Sequence, residues 1–269
     1  MMCRLLDLST SGFYAFSKRK ESKKKARRRE VGKSIAETFV TFKKRYGAPR
    51  ITLELNAQGI PCSRNYVALI MRENGLQARN GKKFRYTSPI EASTAVSMNI
   101  LSRKFDVAQP NIKWVSDITY IRVGHTWLYL AVVIDLFSKK VVGWSLRKHM
   151  RESLIIEALN MAISCRDIKK GLVLHSDRGV QYRANEYQQL MKDHGVLCSM
   201  SRKGNCWDNA VAESFFSRFK VELIYAECYK TIKETQAGVF EYIEMFYNRQ
   251  RRHSANGYIS PHEFEQKYN

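Results

Sequence analysis

The chain has 269 residues and a mass of 31.3 kDa, which suits two ordinary domains or one domain with long arms. Lys and Arg number 46 against 25 Asp and Glu, so the net charge of +21 indicates a polyanionic partner such as DNA, RNA or an anionic membrane surface. The longest apolar run, Trp127–Ile134, is too short to span a bilayer, so we expect no membrane partner.

The cysteine and histidine spacings argue against disulfides and structural zinc. The six cysteines include no C-x-x-C pair, and the histidines show no H-x3–5-H spacing. The first ten residues carry no secretory signal, so we expect free thiols in a reducing cytosol.

The positive charge is concentrated near the N-terminus. Nine of the twelve residues in 18–29 are basic. Residues 1–28 are therefore predicted to be a basic arm, either a solvated tail or a segment that lies on a phosphate backbone.

Residues 29–76 have the pattern of a small helical domain. Apolar residues recur at helical spacing from Val31, a second short helix ends at Gly59, and Ser63 is a suitable N-cap for a third. Two short helices joined by a tight turn indicate a helix-turn-helix, although other small bundles share the pattern. The basic residues Arg50 and Arg64, with Arg72, favour DNA contact.

Residues 77–110 have few periodic apolar positions and are predicted to be a linker with little regular structure. Residues 111–269 are predicted to form a mixed α/β domain in the order βββαβαβα. The predicted strands are 113–121, 127–134, 141–146, 171–176 and 196–200, and the predicted helices are 152–163, 185–193, 208–225 and 231–247. This order is that of an RNase H-like domain.

Three carboxylates fall at informative places in this order. Asp117 lies within the first strand, Asp177 follows the fourth, and Glu213 lies in the helix after the fifth. In an RNase H-like sheet the first and fourth strands are neighbours, so the three groups would converge. Such a cluster repels itself without a cation, and its hard oxygen ligands favour two Mg²⁺ ions, with Mn²⁺ as a substitute, for phosphodiester chemistry.

The residues alone leave alternatives. Asp135 ends the second strand and is an alternative or an addition to Asp117, while Asp208 and Glu222 are alternatives to Glu213. The spacing favours the first set, because 35 residues separate Asp177 from Glu213. That spacing resembles the D,D(35)E signature of retroviral integrases and related transposases.

Longer motifs resemble one family more closely. They are WVSDITY from Trp114, HSDRGVQY from His175, SRKGNCWDNAVAESFF from Ser201, YNRQRRHSANGY from Tyr247, YGAPRI from Tyr46 and MRENGL from Met71. In this order they resemble the second-frame (OrfB) transposase of the IS-three family of bacterial insertion sequences, and the resemblance covers nearly the whole chain.

The resemblance implies an RNase H-like integrase catalytic domain preceded by a small all-α helix-turn-helix domain. It implies Asp117, Asp177 and Glu213 as the catalytic and metal-binding triad, with His175 and Gln181 around the second Asp. It places DNA contacts within the family motifs, at Asn209, Lys220, Arg178, Arg202 and Lys203. Lys220, seven residues after the Glu, is typical of the family, and Asn209 shares the helix face of the Glu, where it would orient either DNA or the Glu. Trp207 is interpreted as a packing residue, and Arg249, Arg251 and Arg252 as residues that either bind backbone or cap the last helix.

The implied reaction is cleavage at an element end followed by attack of its 3′-OH on a second phosphodiester. The implied partners are double-stranded DNA carrying the terminal inverted repeats, target DNA, a further copy of the chain on DNA, and the upstream-frame OrfA protein as a frameshift fusion. The chain has no sustained heptad repeat, so we expect it to be weak or non-specific without that fusion.

Two other functions fit parts of the pattern. An RNase H-like nuclease, such as a junction resolvase, would share the carboxylates but cut without joining. A DNA-binding regulator with an inactive acidic site would bind DNA without Mg²⁺.

Overall fold

The computed structural model describes residues 9–18, 20–79, 107–201 and 209–268, together with residues 3, 6, 7 and 101. The chain divides into two compact units, Met1–Arg79 and Asn80–Asn269. Arg202, Lys203, Trp207, Asp208 and most of the predicted linker lie outside the described residues. In the described ranges no helix is both long and apolar enough to cross a membrane.

The N-terminal unit is helical. Its helices are α1 (Thr10–Ser17), α2 (Lys23–Thr41), α3 (Ala48–Ala57) and α4 (Arg64–Glu73). α2 begins six residues before the predicted start, inside the basic arm, because the Ser22 side chain accepts a hydrogen bond from the Lys25 N–H and caps the helix there. α1 also lies in that arm and was not predicted, since its short apolar run shows no clear helical period.

α2, α3 and α4 pack against one another around a small apolar core. The buried side chains are Val31, Ile35 and Phe39 of α2, Ile51 and Leu55 of α3, and Val67, Ile70 and Met71 of α4. Ser63 caps α4 as predicted, by accepting a hydrogen bond from the Tyr66 N–H. Gly59, in the turn between α3 and α4, has a φ of +78°, which favours glycine.

The second unit is built on a five-stranded mixed sheet. The strands are β1 (Lys113–Val123), β2 (Thr126–Asp135), β3 (Val141–Arg147), β4 (Val173–Ser176) and β5 (Leu197–Met200), in the order β3-β2-β1-β4-β5. The first three strands form an antiparallel meander, while β4 and β5 run parallel to β1. The predicted adjacency of the first and fourth strands is thus confirmed.

Helices cover both faces of the sheet. They are α5 (Glu152–Cys165), α6 (Asn185–Asp193), α7 (Ala210–Phe219), α8 (Ile232–Phe240) and α9 (Pro261–Gln266). α5 packs on β2 and β3 over an apolar core that includes Trp114, and α7 packs on β1. The β-branched and apolar runs of the strands form this core, because each strand is covered by helices.

The C-terminal segment differs from the prediction in detail. α7 and α8 each continue into wider π-helical turns, Lys220–Ile224 and Glu241–Tyr247, which a 3.6-residue period does not anticipate. α9 was not predicted. The Asn248 side chain bonds both the N–H and the carbonyl of Val141, so an amide takes the place of a neighbouring strand on the edge strand β3.

Candidate active site

Asp117 lies in the middle of β1, on the face that α7 covers. It is the cross-strand partner of Val132 in the apolar strand β2, and it is half-buried. A carboxylate in this position is costly to desolvate, and Asp is a poor strand former. Its Oδ1 accepts a hydrogen bond of 2.8 Å from the Ile118 N–H.

Asp177 reaches the same place from β4. The parallel register pairs Lys113 with Val173 and Val115 with His175, and its extension by two residues brings Asp177 beside Asp117. Asp177 is exposed, and its Oδ1 accepts a hydrogen bond of 2.9 Å from the Gly179 N–H, which fixes the carboxylate at the end of the strand.

Glu213 is presented by the first turn of α7. Phe215 and Phe219 are buried and anchor the helix, while Glu213 on another face of the helix is exposed. Because α7 packs against β1, this anchoring directs the glutamate toward the strand that carries Asp117.

The three carboxylates interact electrostatically. Burial and the nearby Asp177 carboxylate raise the pKa of Asp117 well above its usual value, and Glu213 adds to the increase. The Ile118 N–H and Lys220 act in the opposite direction without reversing it. Although the side chains of Asp177 and Glu213 are exposed overall, partial desolvation of their carboxylates also raises their pKa values. The cluster therefore holds more negative charge than its surroundings accommodate.

Lys220 is the predicted basic residue that the structure brings to this cluster. It is half-buried at the first position of the π-helical turns after α7, and its Nζ lies 4.7 Å from the Tyr120 ring centroid. Burial lowers its pKa, while the Asp117 carboxylate raises it. Its pKa is lowered overall, and its amino group lies within the electrostatic influence of the Asp117 carboxylate.

A buried hydrogen-bond network supports the ends of the central strands. The ring nitrogens of His175 hydrogen-bond to Ser199 Oγ at 2.9 Å and Ser201 Oγ at 3.0 Å, which fixes β4 against β5 below Asp177. Tyr182 shares a hydrogen bond of 3.1 Å with Ser116, one residue before Asp117. Of these residues, sequence reasoning found only His175, because the Ser and Tyr positions carry no charge to mark them.

Gln181 lies next to the second Asp, as predicted. Its Nε2 donates to the Met150 carbonyl at 3.0 Å, and a Cβ at Gly179 would come within 3.1 Å of its Oε1 and 3.0 Å of Asp177 Oδ1. The glycine therefore leaves room for both side chains in this turn.

The alternative carboxylates have structural partners of their own. Asp135 is fully buried and accepts hydrogen bonds from the Asn111 and Phe137 N–H groups, both at 2.8 Å, so it braces a turn. Glu222 is paired with the buried Arg251. Neither is part of the Asp117 cluster, and Asp208 lies outside the described residues.

The predicted DNA-contact residues differ from one another in exposure and in their contacts. Arg64 is exposed at the start of α4, and Arg50 on α3 lies over the Tyr46 ring at 5.6 Å. Arg178 donates to the Ser201 carbonyl at 2.7 Å. Asn209 is 5% exposed, and its Oδ1 has no hydrogen-bond partner among the described residues.

The interpretation of Arg251 was wrong. It neither binds a backbone nor caps the last helix, because its guanidinium is buried against Glu222 with bonds of 2.7 and 2.9 Å. A run of three arginines gives no signal that distinguishes a buried member from exposed ones. Arg252 donates to the Tyr258 carbonyl at 3.1 Å, and Arg249 is exposed.

The donor set of the cluster suits a hard divalent cation. Carboxylate oxygens are the ligands that Mg²⁺ and Mn²⁺ prefer, and the repulsion of Asp117 by Asp177 and Glu213, which adds to the rise of its pKa, is what a cation would relieve. Among the described residues, no group of three or more His, Cys, Asp or Glu side chains is arranged so that it could hold a metal ion. The carboxylates are thus electrostatic neighbours in an open site.

Comparisons with known proteins agree with this arrangement. Family models described as "Integrase core domain" match residues 107–206 and 213–268, and one described as "HTH-like domain" matches residues 26–84. The chain is also similar to a chain in the cryo-EM structure of the simian T-cell lymphotropic virus intasome in complex with the PP2A regulatory subunit B56 gamma. The match covers 86% of this chain and 74% of that chain, with a TM-score of 0.50 and 16% sequence identity. That likeness concerns the fold and confirms the predicted integrase-like architecture.

Curated relatives match over almost the full length. Transposase InsF for insertion sequence IS3A of Escherichia coli strain K12 is 44% identical over 99% of this chain and 93% of its own length. The Insertion element IS600 uncharacterized 31 kDa protein of Shigella sonnei is 36% identical over 99% of this chain and 98% of its own length. The chain therefore belongs to the IS3 family, which is the IS-three family that its sequence motifs resemble. It is an insertion-sequence transposase with an integrase-type, polynucleotidyl-transferring catalytic core.

Proposed function

We propose that Asp117, Asp177 and Glu213 are the catalytic triad of this transposase. The observation that carries the proposal is the meeting of three carboxylates from β1, the end of β4 and α7, with their pKa values raised and Lys220 beside them. Perturbed groups gathered from distant parts of a chain are typical of a functional site.

Asp117 and Asp177 would hold two Mg²⁺ ions together with Glu213, and Mn²⁺ would substitute for Mg²⁺. When bound, the ions supply activation of an attacking hydroxyl and stabilisation of the leaving oxygen. The chain's own residues orient the substrate: Lys220 contacts a phosphate next to the scissile one, and the His175 network keeps the end of β4 rigid.

The proposed reaction occurs in two phosphoryl transfers. Water first attacks the phosphodiester at one element end and releases a 3′-OH. That hydroxyl then gives up its proton to solvent as its oxygen attacks a second phosphodiester. One P–O bond forms while another breaks, and the displaced strand leaves with a 3′-oxygen that takes up a proton from solvent.

The helical unit would bind duplex DNA through α4. Its exposed Arg64, with Arg50 on α3, would contact phosphates or base edges of the terminal repeats. We propose that end recognition is completed by the OrfA portion of a frameshift fusion, that several copies assemble on DNA, and that the protein acts on DNA in the bacterial nucleoid.

The test is a strand-transfer assay on labelled element-end DNA with Mg²⁺ or Mn²⁺. It compares the chain, its fusion to OrfA, and Glu213→Gln in each, with Glu157→Gln as a matched control at an ion-paired surface glutamate. Joined product that is lost only in Glu213→Gln supports the proposal. Cleavage without joining would support the nuclease instead, and metal-independent binding without chemistry in any form would support the regulator.

A further inference from the structure

An exposed aromatic patch adjoins the acid cluster. It consists of Tyr120, Trp127 and Tyr225 with the cations Arg122 and Lys220, and the three rings are 44%, 44% and 57% exposed. The Tyr120 and Trp127 rings meet edge to face with centroids 5.3 Å apart. Large aromatic side chains that remain in water beside a reaction site indicate a partner that covers them.

The patch is open because of the lengths of the strands. β1 pairs with β4 only through Lys113–Val115, whereas its pairing with β2 continues to Val123. Beyond Asp117 the β1–β2 hairpin therefore projects past the end of β4 in the described part of the chain. Arg122 and Trp127 are cross-strand partners on this projection, so the strand register holds them together.

Each of two rings in the patch has a cation over it. Lys220 Nζ lies 4.7 Å from the Tyr120 ring centroid, and Arg122 Cζ lies 5.9 Å from the Trp127 ring centroid. Lys220 also lies in the electrostatic field of Asp117, so this lysine links the patch to the carboxylates. A surface that combines aromatic faces with positive charge suits a polyanion that carries flat rings.

The chemistry of the patch separates duplex DNA from unpaired DNA. In a duplex both faces of a base are covered by its neighbours, so a paired base offers an aromatic side chain no face on which to stack. A base that has left the helix exposes a face, and its flanking phosphates match the two cations.

We propose that the aromatic patch stacks an unpaired base of the DNA strand whose phosphodiester lies at the acid cluster. The inference rests on the proposed function and adds a feature of the substrate: a nucleotide next to the reacting phosphate is out of the duplex when bound. Stacking is tolerant of base identity, so the patch accepts the base without reading its sequence.

The test is an equilibrium one and does not require chemistry. The full chain binds two metal-free DNA duplexes that differ in one feature, a 2-aminopurine that is either paired or left unpaired at the same internal position. The variants are Tyr120→Ala, Trp127→Ala and the conservative Tyr120→Phe. Phe240→Ala is the control, because Phe240 is a comparably exposed ring on α8 outside the patch.

We expect the wild type to bind the duplex with the unpaired 2-aminopurine about 5- to 100-fold more tightly than the duplex with the paired one. Binding should quench the fluorescence of the unpaired 2-aminopurine. Tyr120→Ala and Trp127→Ala lose this preference, while Tyr120→Phe and Phe240→Ala keep it. A wild type without preference, or Ala variants that retain it, overturns the inference. A preference that survives while neither the wild type nor its fusion to OrfA joins DNA with Mg²⁺ supports the inference and contradicts only the proposed function.

Discussion

The second unit contains two groups of carboxylates that differ in how their charge is balanced. The ion-pair cluster, formed by Glu222, Arg251 and Tyr242, is closed. Glu222 Oε1 accepts from Arg251 at 2.7 Å, while its Oε2 accepts from Arg251 and from the Tyr242 hydroxyl, both at 2.9 Å. Burial alone lowers the pKa of Arg251, but the bonds to Glu222 raise it above its usual value.

The acid cluster, formed by Asp117, Asp177 and Glu213, is open. Desolvation raises the pKa of all three carboxylates, and for Asp117 the other two carboxylates add to the rise beyond what Lys220 offsets. Glu213 and Glu222 lie nine positions apart in one helical segment, yet only Glu222 has a bidentate arginine. The comparison teaches that a structural acid is neutralised within the chain, while the candidate catalytic acids leave charge for an ion from outside.

Of the substitutions considered, one that removes a charge from the acid cluster should have the largest effect, and that effect should be on catalytic activity. Glu213→Gln keeps the shape of an exposed side chain but removes an anionic ligand, so strand transfer should fall on the order of 10³-fold or more. The measurement is the rate of joined-product formation with Mg²⁺, alongside the unfolding temperature. A variant that joins DNA at the wild-type rate would remove Glu213 from the triad.

Breaking the closed cluster should chiefly affect stability. Arg251→Ala leaves Glu222 buried without its guanidinium, and such an uncompensated charge costs about 3–5 kcal/mol. The free energy of unfolding from urea denaturation of the second unit's transition measures this cost. Arg249→Ala, at an exposed arginine two positions away, should cost little. Equal effects of the two variants would contradict the assigned difference in burial.

The open cluster should respond to pH in the opposite sense from a stabilising ion pair. Because the folded-state pKa of Asp117 is raised, the contribution of Asp117 to the stability of the metal-free wild type is fully present below the ordinary Asp pKa and is lost as the pH rises through the raised value. Asp117→Asn cannot ionise, so at pH 7 it should gain about 1 kcal/mol, which is roughly 2–4 °C in unfolding temperature.

Calorimetry across pH tests this expectation. The gain from Asp117→Asn should shrink toward acid pH, where the wild-type carboxyl is protonated and both proteins carry a neutral group. A variant that is less stable than metal-free wild type at pH 7 would show that the Asp117 charge is already compensated by the chain.

A surface ion pair should show the smallest effect. Glu157 accepts bidentate bonds from Arg147, as Glu222 does from Arg251, but the two side chains are 39% and 49% exposed. Because water screens such a pair, Glu157→Gln should cost under about 1 kcal/mol in urea denaturation. A cost near that of Arg251→Ala would mean that burial does not explain the strength of the closed cluster.

The sheet and its acid cluster were predictable from sequence because they depend on local patterns. The alternation of β1 and the apolar run of β2 marked adjacent strands, and Asp117 was conspicuous because it interrupted one of them. The 35-residue spacing then separated Glu213 from Glu222. The catalytic roles of these residues and their DNA contacts remain predictions.

Other features depend on contacts between distant residues, which a single sequence does not reveal. The pairing of Glu222 with Arg251, 29 positions away, decides which arginine of the run is buried. The π-helical turns after α7 and α8 depart from the helical period, and α9 depends on Glu265, whose carboxylate binds Ser138 and Lys140 across the fold. The aromatic patch was missed because exposure of Tyr120 depends on where β4 ends.

The central claim is that the acid cluster binds a divalent metal ion. Its most direct test is a titration of the full chain with Mn²⁺, in which electron paramagnetic resonance measures the concentration of free Mn²⁺. The account predicts saturable binding to the wild type and to Glu157→Gln, which is lost or greatly weakened in Asp117→Asn and Glu213→Gln. Binding of equal strength and stoichiometry in the wild type and Asp117→Asn would show that the open carboxylate cluster is not the metal site.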